Sequence, residues 1–289
     1  MEKSRIVNGI PMPLVGLGTM RVFGDECTEY IRDAIKTGYR LIDTAHEYKN
    51  EDAIAEGIRL SGVDRTDLIL TTKIWITESG YERAKVSMDE SMKNLRTDYL
   101  DVVLIHCCSG DYYGTYRAMQ EYYKAGKVKI IGVCNFSSER LADLCLFSEI
   151  SPMVNQVETN IFFQNKKLRE VMKRYNVHHE AWGPLAQERV GEIISNETLN
   201  LIGIKYKKTA PQIALKFLVQ SGITIIPKAD SKKILEDNID LYDFELDDRD
   251  MQALCKMDEG FSMKSDYGNP LSAEYAYSEY VNDPIKMFN

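Results

Sequence analysis

The chain has 289 residues, 44% hydrophobic and 28% charged, so it carries enough apolar material for a sizeable core and reads as globular. Lys and Arg number 36 against 44 Asp and Glu, and the net charge of −8 argues against nonspecific DNA or RNA binding. No segment offers the roughly 20 consecutive apolar residues of a membrane span or a signal core, and the six cysteines lack CxxC or Cys/His ligand spacing, which predicts a cytoplasmic chain with reduced thiols and no metal site.

In chain order, Asn8-Gly9 within IVNGIPMP marks a tight hairpin ahead of the first main strand. Strands are predicted at 14–19, 39–45, 68–74, 100–106, 128–136, 153–159, 177–183 and 223–229. These runs are apolar throughout, as strands are when a parallel sheet is covered on both faces. Helical spacing of apolar residues appears between them at 29–38, 51–60, 83–95, 116–126, 140–147, 166–175 and 210–222, and Gly38, Gly126 and Gly222 supply C-terminal stops. No linker or low-complexity stretch interrupts residues 1–289, which predicts one domain.

Eight βα repeats point to a (β/α)8 TIM barrel, with a doubly wound sheet as the competitor. A dinucleotide-binding turn of the latter kind needs GxGxxG. Here Gly16 and Gly18 are followed by Arg21 at the third position, so the barrel is preferred.

Polar residues without a packing role recur at the predicted strand ends: Asp43, Lys73, His106, Asn135, Gln156 and Lys228. The first four are spaced by 30, 33 and 29 residues, about one βα unit each, which brings them to one rim of a barrel, the rim where such folds place their sites. Tyr48 lies just past the second strand. A lysine about 4 Å from a phenolate interacts with it by about 4 kcal/mol at an effective dielectric of 20, roughly three pKa units before solvent losses. Lys73 is therefore expected to bring the Tyr48 phenol into a useful acid range, with Asp43 keeping Lys73 charged. His106, as a neutral imidazole, would donate to a carbonyl oxygen. His46 and the pair His178-His179 lack a clustered ligand set, so no metal site is read there. Lysines at barrel strand ends also form Schiff bases, which leaves an aldolase using Lys73 as an alternative, together with a cofactor-binding regulatory protein without turnover.

The segments GYRLIDTAHEYKNEDAIAEGI, LILTTKIW, YLDVVLIHCC, GKVKIIGVCNF, NQVETN, HEAWGPLAQ and IIPKADSKKILEDN, in this order, resemble the motifs of the aldo-keto reductase family from about residue 10 to residue 250. The resemblance implies an NAD(P)H-dependent reductase of aldehyde or ketone carbonyls, with Asp43, Tyr48, Lys73 and His106 as its catalytic tetrad and Tyr48 as proton donor. It implies that Asn135 and Gln156 hold the nicotinamide carboxamide and that Trp182 stacks on the ring, with Asp43 also reaching the ribose. Lys228, the start of SKKILEDN and Asn238 would take the adenosine end. A C-terminal substrate loop within 265–289 would cover the mouth.

Several positions depart from the family pattern. Ala229 and Gly183 stand where serines are usual, Cys134 replaces the serine before Asn135, and Ile234 stands where an arginine commonly packs on the adenosine. Lys228, Lys232 or Lys233 would then have to act as point charges without the planar fork of arginine, and NADPH is placed ahead of NADH on that chemistry. Met20 and Cys107 occupy pocket positions that are often tryptophan, whereas Trp75 remains, so a wider, softer substrate pocket for a small carbonyl compound is expected. Nothing in the sequence demands more than a monomer.

Overall fold

The computed structural model describes residues 3–262 together with 271, 274 and 276–278. Strands β1 (Ser4–Val7) and β2 (Ile10–Pro13) form the expected antiparallel hairpin, turning at Asn8 and Gly9, whose φ values of 49° and 77° are the left-handed conformation such a two-residue turn requires. Eight parallel strands follow: β3 (Leu17–Gly18), β4 (Leu41–Asp43), β5 (Ile69–Ile74), β6 (Leu100–Ile105), β7 (Val128–Cys134), β8 (Val154–Glu158), β9 (His178–Trp182) and β10 (Thr224–Ile225). They pair in sequence order, and a parallel bridge between Val15 and Ile225 joins the last strand to the first, closing the barrel.

Helices α1 (Gly24–Thr37), α2 (Glu51–Ser61), α3 (Tyr81–Asn94), α4 (Tyr112–Lys124), α5 (Ser138–Phe147) and α6 (Lys166–Arg174) connect the strands up to β9. Between β9 and β10 lie α7 (Val190–Ser195), α8 (Glu197–Tyr206) and α9 (Ala210–Gln220), and α10 (Lys232–Ile239) and α11 (Asp248–Cys255) follow the last strand. Gly38 shows why α1 stops where it does: at φ 119° its N–H folds back onto the carbonyl oxygens of Ala34 and Ile35.

The strand alternation sorts side chains into two layers. Leu41, Val102, Leu104, Ile130, Val154 and Ile226 fill the barrel interior, while Ile42, Val103, Ile131 and Ala181 face the helices. Val7 and Met12 of the hairpin join the interior layer and plug the barrel, and burying each stabilises by roughly 1.5–3 kcal/mol. Position parity then places the polar residues. Asp43 follows Leu41 by two, Gln156 follows Val154 by two, and Lys73 follows Ile69 by four, so all three point inward. No helix among the described residues is long and apolar enough to cross a membrane.

Candidate active site

Tyr48 is set by the short turn His46–Tyr48, which opens directly after β4. Asn50 pins that turn from below. Its buried amide donates to the carbonyls of Thr19 and Val22 and accepts from the Thr44 hydroxyl at 2.6 Å, tying the turn to the first βα loop. Lys73 comes from the end of β5 and is 1% exposed. Its Nζ donates to Asp43 Oδ1 at 2.6 Å and to the Thr44 carbonyl at 2.9 Å, and it lies 5.2 Å from the Tyr48 ring centroid. His106, following β6, meets the Tyr48 ring edge-on at 5.6 Å and the Trp75 ring at 4.6 Å. The four residues expected to act together do converge on one rim.

Their electrostatics differ from expectation in one respect. Burial pushes the Lys73 ammonium toward neutrality, but the charges of Asp43 and Tyr48 outweigh it and leave its pKa raised. Burial pushes the Tyr48 phenol up as well, and the pull from Lys73 does not offset it, so the phenol stands at about 12. The expected net lowering of Tyr48 is therefore corrected. Lys73 is already neutralised by Asp43, and the phenol faces an ion pair in place of a bare cation. His106 is held well below its ordinary value by burial and by the Lys73 charge, so it is a neutral imidazole; its Nδ1 is buried without a partner.

A second group sits beside the first. Asn135, at φ 63°, donates from its amide to the His106 carbonyl at 3.1 Å and accepts from the Trp182 indole N–H at 2.8 Å. Gln156 donates to Asp43 Oδ2 at 2.7 Å and to Glu180 Oε1 at 2.6 Å, and among the described residues its own Oε1 has only a Cys134 thiol contact at 3.6 Å. Glu180, in the middle of β9, is fully buried and was passed over in the sequence, where no role was assigned to it. The signal that could have found it is a carboxylate inside a strand whose parity faces the barrel interior.

The remaining residues lie farther out. Lys228 is exposed beyond β10, before α10, whose first turn is capped by the Ser231 hydroxyl accepting from Ile234 N–H at 3.3 Å. Lys233 is drawn to Asp237 at 2.6 Å, a surface pair on its own helix. Asn238 is buried on α10 with its amide nitrogen unpartnered, a donor suited to a heteroaromatic base. At the mouth, Trp75 packs with Ile76, Cys107 and Tyr277, and the Tyr277 hydroxyl accepts from Gly110 N–H at 3.0 Å; Met20 is exposed on the first βα loop. Most of the C-terminal loop expected at 265–289 lies outside the described residues. A cleft of about 770 Å³ runs beside Asn135, Ser137, Glu158 and Phe261, touching the tetrad side only through Asn135. Among the described residues no group of three His, Cys, Asp or Glu could hold a metal ion.

Comparison with known proteins gives a consistent picture. Residues 14–259 match the Aldo/keto reductase family. The chain is 42% identical over 252 residues to a glyoxal reductase of Bacillus subtilis, covering 86% of this chain and 90% of that protein. It is 32% identical to methylglyoxal reductase DkgA of Escherichia coli K12, over 89% of this chain and 93% of that one. Among solved structures, an aldo-keto reductase from a Medee basin deep-sea metagenome library superposes with a TM-score of 0.88 at 38% identity, covering 91% of this chain and 97% of its own. A Gox0644 variant in complex with NADPH does so with a TM-score of 0.87 at 36% identity, covering 93% and 99%.

Proposed function

The chain belongs to the Aldo/keto reductase family, and on that premise we propose how its residues carry out the reaction. It is an NAD(P)H-dependent oxidoreductase that reduces carbonyl compounds to alcohols. A bound reduced nicotinamide supplies the hydride. The protein's part is orientation and a proton. Neutral His106 donates to the carbonyl oxygen and polarises it, and Tyr48 passes its phenolic proton to the same oxygen as negative charge develops there. A phenol at about 12 is a weak acid toward water but an adequate one toward an alkoxide, which is more basic still. Lys73 stays an ammonium beside the phenolate that results, and Asp43 holds it there.

The nucleotide fits the groups that the chain leaves available. Gln156 Oε1 offers an acceptor to a carboxamide N–H, Asn238 offers a buried unpartnered donor to adenine, and Lys228 stands exposed before the capped start of α10, where phosphate is favoured. We favour NADPH over NADH because Lys228 supplies a charge for a 2′-phosphate, though without a planar fork. Small 1,2-dicarbonyls of the glyoxal type are the substrates proposed, by likeness to the relatives and from a mouth lined by Met20, Trp75 and Cys107. Six cysteines, none of them in a disulfide, fit a reducing compartment, the cytoplasm. An aldolase role for Lys73 is disfavoured, since a lysine held as an ammonium has no lone pair for a carbonyl carbon.

The observation that carries this reading is the junction of Asp43, Lys73, Tyr48 and His106 at one rim. Tyr48→Phe is expected to lower NADPH-dependent reduction of methylglyoxal by at least about 100-fold while leaving NADPH affinity, read by fluorescence titration, unchanged. In the same titration NADPH should bind more tightly than NADH. Unchanged turnover in the variant would remove Tyr48 as the acid, and equal affinities would remove the cofactor preference.

A further inference from the structure

Inside the barrel, the buried carboxyl groups of Asp43 and Glu180 lie near one ammonium, that of Lys73. Asp43 is met by Lys73 at 2.6 Å, whereas Glu180 pairs with no cation among the described residues; its Oε1 accepts from Gln156 at 2.6 Å and its Oε2 is buried without a partner there. Gln156 Nε2 has two hydrogens and spends both on these carboxyls, so the carboxamide cannot turn over without facing an oxygen toward an oxygen.

The groups that act on Glu180 come from beside it and from across the barrel interior: Gln156 of the adjacent β8, Cys134 of β7, Lys73 of β5 and Asp43 of β4, with uncharged Thr224 paired beside it on β10. The Cys134 thiol is held well above its ordinary pKa by burial and is neutral. The ammonium is already matched by Asp43. An ionised Glu180 would thus be an unpaired charge in the barrel interior, and the cheaper state keeps its proton. Burial first, then the Asp43 charge, raises its carboxyl to about 8.

We propose that Glu180 is a positioning residue for the reductase: as a neutral carboxylic acid it fixes the direction of the Gln156 carboxamide and steadies the Asp43–Lys73 pair below Tyr48. When hydroxide removes that proton, a second negative charge appears beneath Lys73. The phenol of Tyr48 becomes a weaker acid, and Gln156 Nε2, now facing two carboxylates, is drawn toward the newly ionised one and out of its seat between them. The inference rests on the functional reading of Gln156 and Tyr48 given above.

The test follows kcat, KM for methylglyoxal and NADPH affinity against pH in the wild-type chain and in Glu180→Gln. The wild type should lose activity and affinity as pH rises through about 8, and Glu180→Gln should lack that inflection while keeping neutral-pH affinity within about threefold as a conservative replacement. Difference infrared spectra should show a buried carboxylic acid band at neutral pH that disappears in the variant. Glu180→Met, which keeps the volume and drops the hydrogen bond, should weaken NADPH binding about tenfold at every pH. It provides the reading if the glutamine variant does not fold. Identical pH profiles with no acid band lost, or wild-type affinity in Glu180→Met, overturns the inference. An inactive wild type would instead overturn the functional reading, so the two failures are distinguishable.

Discussion

Lys73 has two duties that separate by experiment. It is the cation beside Tyr48, and among the described residues it is the counter-charge of Asp43 within the barrel, 2.6 Å away and 1% exposed. Removing one partner of a buried ion pair leaves the other charge uncompensated, which costs about 3–5 kcal/mol. Lys73→Met is therefore expected to destabilise the fold by that amount in urea denaturation as well as to impair reduction. Adding Asp43→Leu should recover much of the stability and none of the activity. A single variant as stable as wild type would show that the pair contributes nothing to the fold. Asp43 and Lys73 of the proposed tetrad were legible in the sequence because polar side chains in strands that are otherwise apolar have little else to do, and Tyr48 and His106 were placed from their positions at the ends of such strands. The direction of the Tyr48 shift was not legible, since it depends on how dry the site is and on Asp43 neutralising Lys73, and neither follows from spacing. Glu180 was hidden for a related reason: a glutamate beside two histidines and before Trp182 does not reveal which of them faces the interior until the strand parity is fixed.

The turn that carries Tyr48 is held from its other side by His46. The imidazole Nδ1 lies 3.2 Å from the Ser91 hydroxyl and 3.4 Å from Glu51, and Nε2 lies 3.5 Å from both Glu78 and Glu90, so carboxylates of α2, α3 and the loop after β5 surround it. The Glu51 hydrogen bond, joined by the Glu78 charge, raises the His46 pKa against burial and against Lys49. Since the folded-state value lies above the unfolded one of about 6.5, the stabilisation is complete below that unfolded value and is lost as pH rises through the folded one. His46→Gln should therefore lower stability by about 1–3 kcal/mol at pH near 6, and by progressively less toward alkaline pH, as read from Tm of both proteins across the range. A deficit independent of pH would mean that the imidazolium plays no part. At this scale the sequence revealed the eight strands and the helices at regular spacing, and it missed α7, α8 and α11. Ile194, Leu201 and Ile204 are exposed apolar residues on the outer side of α7 and α8, and they blur the period that a buried stripe would show. The start of α8 is set by Asn196, whose Oδ1 accepts from Leu199 N–H at 3.0 Å, a cap that the sequence reading did not pick out.

Closure of the barrel is a property of the whole molecule, and no periodicity can reveal it. It depends on the shortest strands, β3 and β10, joined through Gly16 N–H to Ile225 O at 2.8 Å, Ile225 N–H to Leu14 O at 2.9 Å and Gly18 N–H to Pro227 O at 3.2 Å. Gly18 is needed there for space. A Cβ at that position would lie 2.8 Å from the Ile226 backbone oxygen, which cannot retreat without opening the seam, whereas one at Gly16 would meet the buried Leu41 side chain at 2.7 Å, which must shift within the core but carries no seam hydrogen bond. Gly18→Ala is thus expected to cost about 1–3 kcal/mol, more than Gly16→Ala, and to speed hydrogen exchange at the Ile225 amide. We propose that residues 1–289 form one domain, and the same variant tests it. The two tryptophans sit across the barrel, Trp75 after β5 and Trp182 at the end of β9, far along the chain from the seam residue Gly18. If the barrel is one cooperative unit, opening its seam shifts the fluorescence and circular dichroism midpoints together and by the same denaturant concentration. Transitions that separate would divide the chain into units that the seam does not couple.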